Sequence, residues 1–330
     1  MATLDIFKDD AFSLSALTAA IQNVPYQPGR IAQLGLFGTP EGINTKSVMI
    51  ESKDGVLSLV PVSQRGAPAT QMTHESRSIR AFTVPHLKVE DALLADEVLG
   101  VRAFGSESEV ETVAKVVGGR LVNMRRNIEY TKESHMLSAV KGTYIDSLGN
   151  SVSLFTEFGV TQDTIGFDLD TATSNIRLKI LAMMESIEDD LGGLSFTGIR
   201  VLCGKDFWSK LIEHKMVKES YLGTQAAASL RGDPRMEFEF AGVIFERYRG
   251  TSAVKVADAE AYAVPEGVVD LFISRLAPAD YIETVGTMGQ AFYAKQWEME
   301  AGRGIKVEAQ SNPLHLCTRP HAVKKLTVAA

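Results

Sequence analysis

Between Ser106 and Gly142 the apolar residues Val110, Val113, Ala114, Val117, Leu121, Met124 and Ile128 recur at three- and four-residue steps, which places them on one side of a helix. Ser106 can accept a hydrogen bond from the first-turn amides, Glu109 completes a capping box, and Gly142 supplies the stop. Beyond Ile128 the stripe drifts to Met136, Leu137 and Val140. At about 1.5 Å per residue this helix would be roughly 50 Å long, well beyond the usual three to four turns. Gly118 and Gly119 each cost about 1 kcal/mol relative to Ala in a helix interior, so the pattern predicts a bend there, or a neighbour pressed against the backbone.

Elsewhere the period changes. In residues 1–44 a short helical pattern, Ser13 to Ile21, gives way to Pro25, Pro28, Gly29, Gly35, Gly38, Pro40 and Gly42. Leu34, Leu36, Phe37 and Ile43 keep this extended stretch apolar, so it needs a surface to lie on, and a neighbouring copy could supply it. From Thr45 the alternation is two-fold: Ser47 to Ser52 and Val56 to Val62 flank Lys53-Asp54-Gly55, a hairpin signal, and Arg77 to Val84 is a further strand. The polar middle of this segment, including Gln64, Arg65, Thr70, Gln71 and His74, has no core of its own and should project onto something else.

Lys88 to Leu99 reads as a short helix through Val89, Leu93, Leu94 and Val98. After the long helix, Thr143 to Phe155 reads as a hairpin, Asp170 to Leu191 as an amphipathic helix, and Ile199 to Cys203 as a buried strand. Lys205 to Lys215 reads as a helix carrying Phe207 and Trp208, and Met236 to Tyr248 as a hairpin turning at Ala241-Gly242. Further strands fall at Ala261 to Val264, Val268 to Ile273, Gln290 to Met299, Ile305 to Gln310 and Leu314 to Thr318. Helices interspersed with hairpin-paired strands indicate an α+β fold, without the regular βαβ rhythm of a doubly wound sheet.

Composition narrows the function classes. The chain has 330 residues, 45% hydrophobic, enough for a large core, and a formal charge of -7, which argues against a general nucleic-acid binder. Its two cysteines, Cys203 and Cys317, each sit in an apolar run and read as small buried hydrophobes in a reducing compartment. MATLDIFKDD carries acidic residues where a secretory signal carries basic ones, and no apolar run approaches a membrane span, so the expectation is a protein made and used in solution.

Candidate chemistry is sparse, and no catalytic, cofactor-binding or metal-ligating residue is predicted. Gly35-Leu36-Phe37-Gly38 lacks the spacing and context of a phosphate loop. Of the six histidines only His315 and His321 are near one another in sequence, without ligand geometry. Glu188, Asp189 and Asp190 point in different directions on a helix and read as its solvated end. Arg120, Arg125 and Arg126 lie off the long helix's stripe. They are a solvated or salt-bridged face or a contact with a neighbouring subunit, and on the second reading Arg125→Glu would impair assembly more than melting. Trp208 and Trp297 read as core and strand anchors, and Lys324-Lys325 is too short for a nucleic-acid patch.

Seen as a series, VPYQPGRIAQLGLF, RSIRAFTVPHL, VLGVRAFG, LCGKDFWSKLIEH, FEFAGVIFERYRG, AYAVPEGV, LFISRLAPADYIETVGTMG and SNPLHLCTRP resemble the major capsid protein E family, the lambda-type coat proteins of tailed phages with the HK97-like fold. The likeness spans nearly the whole chain. It implies an N-terminal arm over 1–44 and an extended loop over 45–86 laid on a neighbour. It also implies a peripheral domain from 87–149 and 286–320, with the long helix as spine, and an axial domain from 150–285 and 321–330. The implied function is a non-enzymatic coat protein, found in the virion and assembled in the host cytoplasm. It would form pentamers and hexamers of an icosahedral head that encloses double-stranded DNA without sequence-specific binding. The implied partners are further copies of the chain, a separate scaffolding protein, since no long helical extension precedes the arm, a portal and, as an optional addition, a decoration protein. No membrane and no cofactor is expected. Lys46 and Lys53 lie where some members form an intersubunit cross-link, but no asparagine or activating glutamate matches, so none is predicted. The alternatives are an encapsulin-like compartment and a cytosolic α+β enzyme built on Asp189, Asp190 and His214.

Overall fold

One helix threads both hydrophobic cores of this chain. The computed structural model describes residues 10–24, 29–53, 77–94, 97, 109–222 and 237–329. The N-terminal part holds α1 (Leu14–Asn23), α2 (Arg30–Leu34) and β1 (Glu41–Gly42). Next come β2 (Ser47–Lys53), β3 (Arg77–Thr83) and β4 (Leu87–Leu94), then the spine helix α3 (Glu109–Val140) of 32 residues. The hairpin β5 (Thr143–Ile145) and β6 (Ser151–Ser153), the single turn α4 (Leu154–Phe158), β7 (Thr164–Gly166) and α5 (Ile176–Leu191) follow. The middle of the chain is β8 (Gly198–Cys203), α6 (Lys205–Glu213), α7 (Lys215–Leu222), β9 (Phe238–Phe240), β10 (Val243–Arg247), β11 (Glu260–Glu266) and β12 (Phe272–Leu276). It ends in β13 (Tyr293–Glu298), β14 (Gly304–Ser311), β15 (Pro313–Cys317) and β16 (Lys324–Thr327).

The larger core surrounds a six-stranded mixed sheet of order β7-β16-β11-β8-β10-β9. Val201, Leu202 and Cys203 are buried in succession, so both faces of β8 are covered. Ile180, Met183 and Ile187 of α5 and Phe207, Trp208 and Leu211 of α6 join this core, as do Met136, Leu137 and Val140 from the end of the spine. The smaller core is made by Val117, Leu121, Met124 and Ile128 of α3 with Leu17 and Ile21 of α1, over the sheet β13-β14-β4. The drift of the apolar stripe after Ile128 is therefore the passage of one helix from one core to the other.

Of the segment predicted as a helix over Lys88 to Leu99, residues 88–94 belong to strand β4, paired antiparallel with β14 from Leu87↔Ser311 to Leu94↔Gly304, and most of the remainder lies outside the described residues. Its charges explain the change. Lys306 bonds Glu90 at 2.6 Å and Lys88 reaches Glu308, diagonal pairs that only a ladder in this register brings together. Helix propensity is a weak preference, and the sheet partner overrides it.

Other boundaries move for local reasons. α5 starts at Ile176, where Asn175 Oδ1 accepts from Leu178 N at 3.2 Å; residues 170–175 are turns. Residues 268–271 are likewise a turn, with Asp270 at φ 55°, and the strand begins at Phe272. The helix after β8 ends at His214 and restarts as α7. α3 runs unbroken through Gly118 and Gly119, and nothing described lies within 4 Å of a Cβ at either, so no neighbour presses on the backbone there. β2 pairs along its length with β3. The hairpin signal at Asp54-Gly55, the run Val56 to Val62 and the cap at Ser106 lie outside the described residues.

The N-terminal stretch finds a surface on its own subunit, where Leu17, Ile21, Ile31 and Phe37 are buried. Arg125 Nη1 donates to Ile21 O at 2.6 Å and Gln22 O at 2.8 Å, the orphan carbonyls at the end of α1. Glu133 does the opposite job at the start of α2. Gly29, the N-cap, has no side chain to offer, and Glu133 accepts from Ile31 N at 2.8 Å and Ala32 N at 3.4 Å. A Cβ at Gly29 would fall 2.2 Å from Glu133 Cδ, so glycine admits the carboxylate. Each charge faces the helix end whose dipole it complements.

Arg125 is thus internal and not a subunit-contact residue: it is buried, bonds Glu129 at 2.6 Å and lies 4.7 Å from the centroid of the Phe292 ring. Arg125→Ala should lower subunit stability by about 3–5 kcal/mol, because it strands a buried carboxylate and two carbonyls. Denaturant melts of the unassembled protein measure this, and an unchanged midpoint would show that the arm is anchored elsewhere.

Candidate functional site

Of the three residues that could have made an acid-rich site, His214 is held apart from Asp189 and Asp190. His214 is buried against the turn that precedes α5, its Nε2 3.2 Å from Ser174 Oγ and 3.1 Å from Thr171 O. Asp190 lies at the far end of α5, roughly 20 Å along the helix axis. There it takes the ammonium of Lys324, a fully buried side chain that also donates to Asp163 Oδ2 at 2.7 Å. His321 Nε2 lies 3.2 Å from Asp190 O, while Glu188 and Asp189 are exposed. The acidic run is therefore part anchor and part solvated surface. Among the described residues no three His, Cys, Asp or Glu side chains group closely enough to hold a metal ion.

The cysteines are free and buried. Burial pushes the Cys317 thiol up to about 12 and holds Cys203 well above its ordinary value, so both are protonated hydrophobes and not nucleophiles. Trp208 is a core residue, and Trp297 is a strand residue whose ring lies 6.0 Å from Lys88 Nζ.

A cleft of about 800 Å³ opens between the N-terminal stretch and the edge of the larger core. Its cations are already spent. Arg200 bonds Glu266 and Glu237 at 2.5 Å and Glu246 at 2.9 Å, Arg30 is tied to Glu246, and Arg275 bonds Glu41 at 3.0 Å. An anionic ligand would have to displace these carboxylates, so the network serves to fasten α2 and β1 to the body.

A cavity of about 340 Å³ lies between α2, α3 and β15. Lys132 and His315 line it. Lys132 Nζ donates to Ala291 O at 3.0 Å and sits 3.8 Å from the Phe292 ring centroid, and burial lowers its pKa to about 7. His315 Nδ1 is 3.0 Å from Ser274 Oγ, its Nε2 has no described partner, and burial brings its pKa down to about 3. Glu129 is committed to Arg125. These groups pack the arm against the spine.

Exposed apolar side chains also mark the described surface. The pair β2 and β3 turns Val48, Ile50 and Phe82 onto its own subunit, and on its other face Met49 is 73% and Ile79 66% exposed. Lys46, at the base of this pair, is exposed; the side chain of Lys53 lies outside the described residues. Sequence reasoning missed the internal clamp, although Arg125, Glu129 and Glu133 stand at i, i+4 and i+8, a spacing that carries charges along one helix face.

A family model described as phage major capsid protein E matches residues 13–328. The chain is 28% identical over 348 residues to the major capsid protein of Salmonella phage Felix O1, covering 94% of each, and 28% identical over 343 residues to that of Pseudomonas phage KPP10, covering 95% of this chain and 96% of the relative. Among solved structures, the putative capsid protein of an Escherichia coli CFT073 prophage aligns with a TM-score of 0.60 at 15% identity, covering 96% of this chain and 99% of that one. The capsid of phage XM1 aligns with a TM-score of 0.53 at 13% identity over 92% of both chains. At such identities the structural likeness establishes the fold alone, the HK97-like α+β arrangement.

The buried histidines make stability depend on pH. Burial lowers His135 to about 4 and His315 to about 3, against 6.5 for an ordinary histidine. Between those values the unfolded chain binds more protons than the folded one, so stability falls as pH is lowered from about 6.5 toward 3. The subunit melting temperature should drop across this window, and His315→Asn should flatten the drop. Equal slopes for both proteins would assign the acid sensitivity to other groups.

Proposed function

The chain belongs to the phage major capsid protein E family, and from that premise we propose how its parts divide the work of building the head of a tailed phage. As a capsid protein it is a structural subunit of the virion. The observation that carries the proposal is the match across residues 13–328, joined to a surface that exposes apolar contact faces.

Residues 45–86 form the extended loop. Its inner face is anchored by Val48, Ile50 and Phe82, and its outer face, with Met49 and Ile79, lies on a neighbouring subunit in the shell. Residues 87–149 and 286–320 make the peripheral domain; the β4-β14 ladder and the α3 spine over it support that grouping. Residues 150–285 and 321–330 make the axial domain, supported by β16 pairing with β11 in the six-stranded sheet. The arm, residues 1–44, serves largely as part of its own subunit, since Leu17, Ile21 and Ile31 are buried there.

Copies of the chain assemble as pentamers and hexamers in the host cytoplasm, with a separate scaffolding protein, a portal and an optional decoration protein. The shell encloses double-stranded DNA without reading its sequence. The formal charge of -7 is consistent with that, because a surface of like sign to the phosphates confines DNA without adhering to it.

Co-expression of the full chain with the scaffolding protein, followed by negative-stain imaging, tests the reading. Closed icosahedral particles are expected, and a 35.9 kDa monomer at every concentration would refute it. Deletion of residues 54–76 should leave a folded, soluble subunit with nearly unchanged melting but no closed shells. Normal particles from that variant would remove the loop from the neighbour contact.

A further inference from the structure

Residues 281–290 expose three large apolar side chains within seven positions. Ile282 is 90%, Val285 78% and Met288 61% exposed, the highest concentration of exposed apolar side chains among the described residues. Single exposed apolar residues are ordinary on any surface; three on one short turn are not.

The backbone beneath them is held tightly. Ile282–Thr284 is a turn of 3₁₀ helix, and the buried Thr284 donates through Oγ1 to Ala279 O at 2.7 Å. Tyr281 Oη donates to Glu308 Oε1 at 3.0 Å, with Lys295 Nζ 5.0 Å from its ring centroid. Thr287 Oγ1 donates to Thr284 O at 2.7 Å, and Tyr293 Oη accepts from Gln290 N at 2.8 Å. Gly289 N donates to Ile43 O at 2.9 Å, and a Cβ at Gly289 would fall 1.9 Å from Leu276 O, so this end of the turn sits flush on β1 and β12. A turn secured at both ends and in the middle is ready-made for contact: little conformational freedom is lost when its apolar side chains are covered.

We infer that Ile282, Val285 and Met288 form a rigid apolar knob that is buried against a second copy of this chain in the assembled shell. The inference rests on the capsid reading above and names a contact within it. The identity of the occupant follows from size and charge. Three side chains present a few hundred Å², the scale of the largest apolar patch on an ordinary monomer. A free-standing complex needs roughly 800 Å² from each partner, so the knob is too small to hold a separate soluble protein. It is sufficient where every subunit is held at several contacts at once and each need supply only part of the affinity. Of the two carboxylates beside it, Glu283 bonds Lys295 at 2.7 Å within the subunit and Asp280 is exposed, so little charge flanks the knob to attract an unlike partner. Dry apolar contacts of this kind are typical of interfaces between identical chains.

The test compares the full-length chain with the double variant Ile282→Asp, Val285→Asp, each co-expressed with the scaffolding protein under the same conditions. The readouts are particle yield by sedimentation and imaging, and the melting temperature of the unassembled subunit. The inference expects unchanged melting and particle yield reduced by about tenfold or more, because each contact would bury unpaired carboxylates. Should the aspartates lower the melting temperature, the triple variant Ile282→Thr, Val285→Thr, Met288→Gln carries the same test. Equal particle yields from wild type and a stably folded variant would overturn the knob and leave the capsid reading standing. Particles from neither protein would overturn that reading and the knob with it.

Discussion

Two opposite charges about two turns apart on one helix organise the subunit. Arg125 closes the carboxyl end of α1 and Glu133 opens the amino end of α2, so the segment before β1 is held by the spine at two helix termini. Burying ions is expensive unless each is fully paired, and here each is. Arg125 has Glu129 and two carbonyls, while Glu133 has two amides and the hydroxyl of Tyr248 at 3.0 Å. The glycine at position 29 belongs to the same arrangement, because only its missing side chain lets the carboxylate reach the backbone. If the clamp loosened, α1 would leave the smaller core and expose Ile21, Leu121 and Ile128 together.

That clamp changes what kind of building block the chain is. A subunit with an apolar stretch waiting for a neighbour would fold only as it assembled. Here the described part of that stretch packs on its own subunit, with two cores around one spine and the charged cleft tied off by Arg200 and its carboxylates. Among the described residues, the outer face of β2 and β3 and the turn after β12 carry exposed apolar side chains and are anchored from beneath. A rigid body with a few exposed contact faces suits a lattice, in which weak contacts repeated around every subunit add up to a closed and stable container.

The absence of convergent reactive groups among the described residues follows from the same economy of charge. Lys324, Arg200, Lys88 and Arg120 each meet carboxylates from distant parts of the chain, and His214 and His315 are buried. Polar side chains here join one segment to another.

Much of this was legible in the residues alone. The long helix, the hairpin at Ala241-Gly242, the buried strand before Cys203 and the existence of strands near the carboxyl end follow from local periodicity, since an apolar stripe at one spacing suits one backbone geometry. The likeness to coat proteins was readable for the same reason, as it is carried by short segments in fixed order. Tertiary structure decided the rest. Residues 87–94 satisfy a helical pattern as well as an alternating one, and only the opposing charges on β14 select the strand. The sides of a helix that are not apolar give no sign of their partners, so Arg125 could have faced solvent, a neighbour or its own arm. The choice belongs to atoms a hundred residues away in sequence, the carbonyls of Ile21 and Gln22, which long-range folding alone brings within reach.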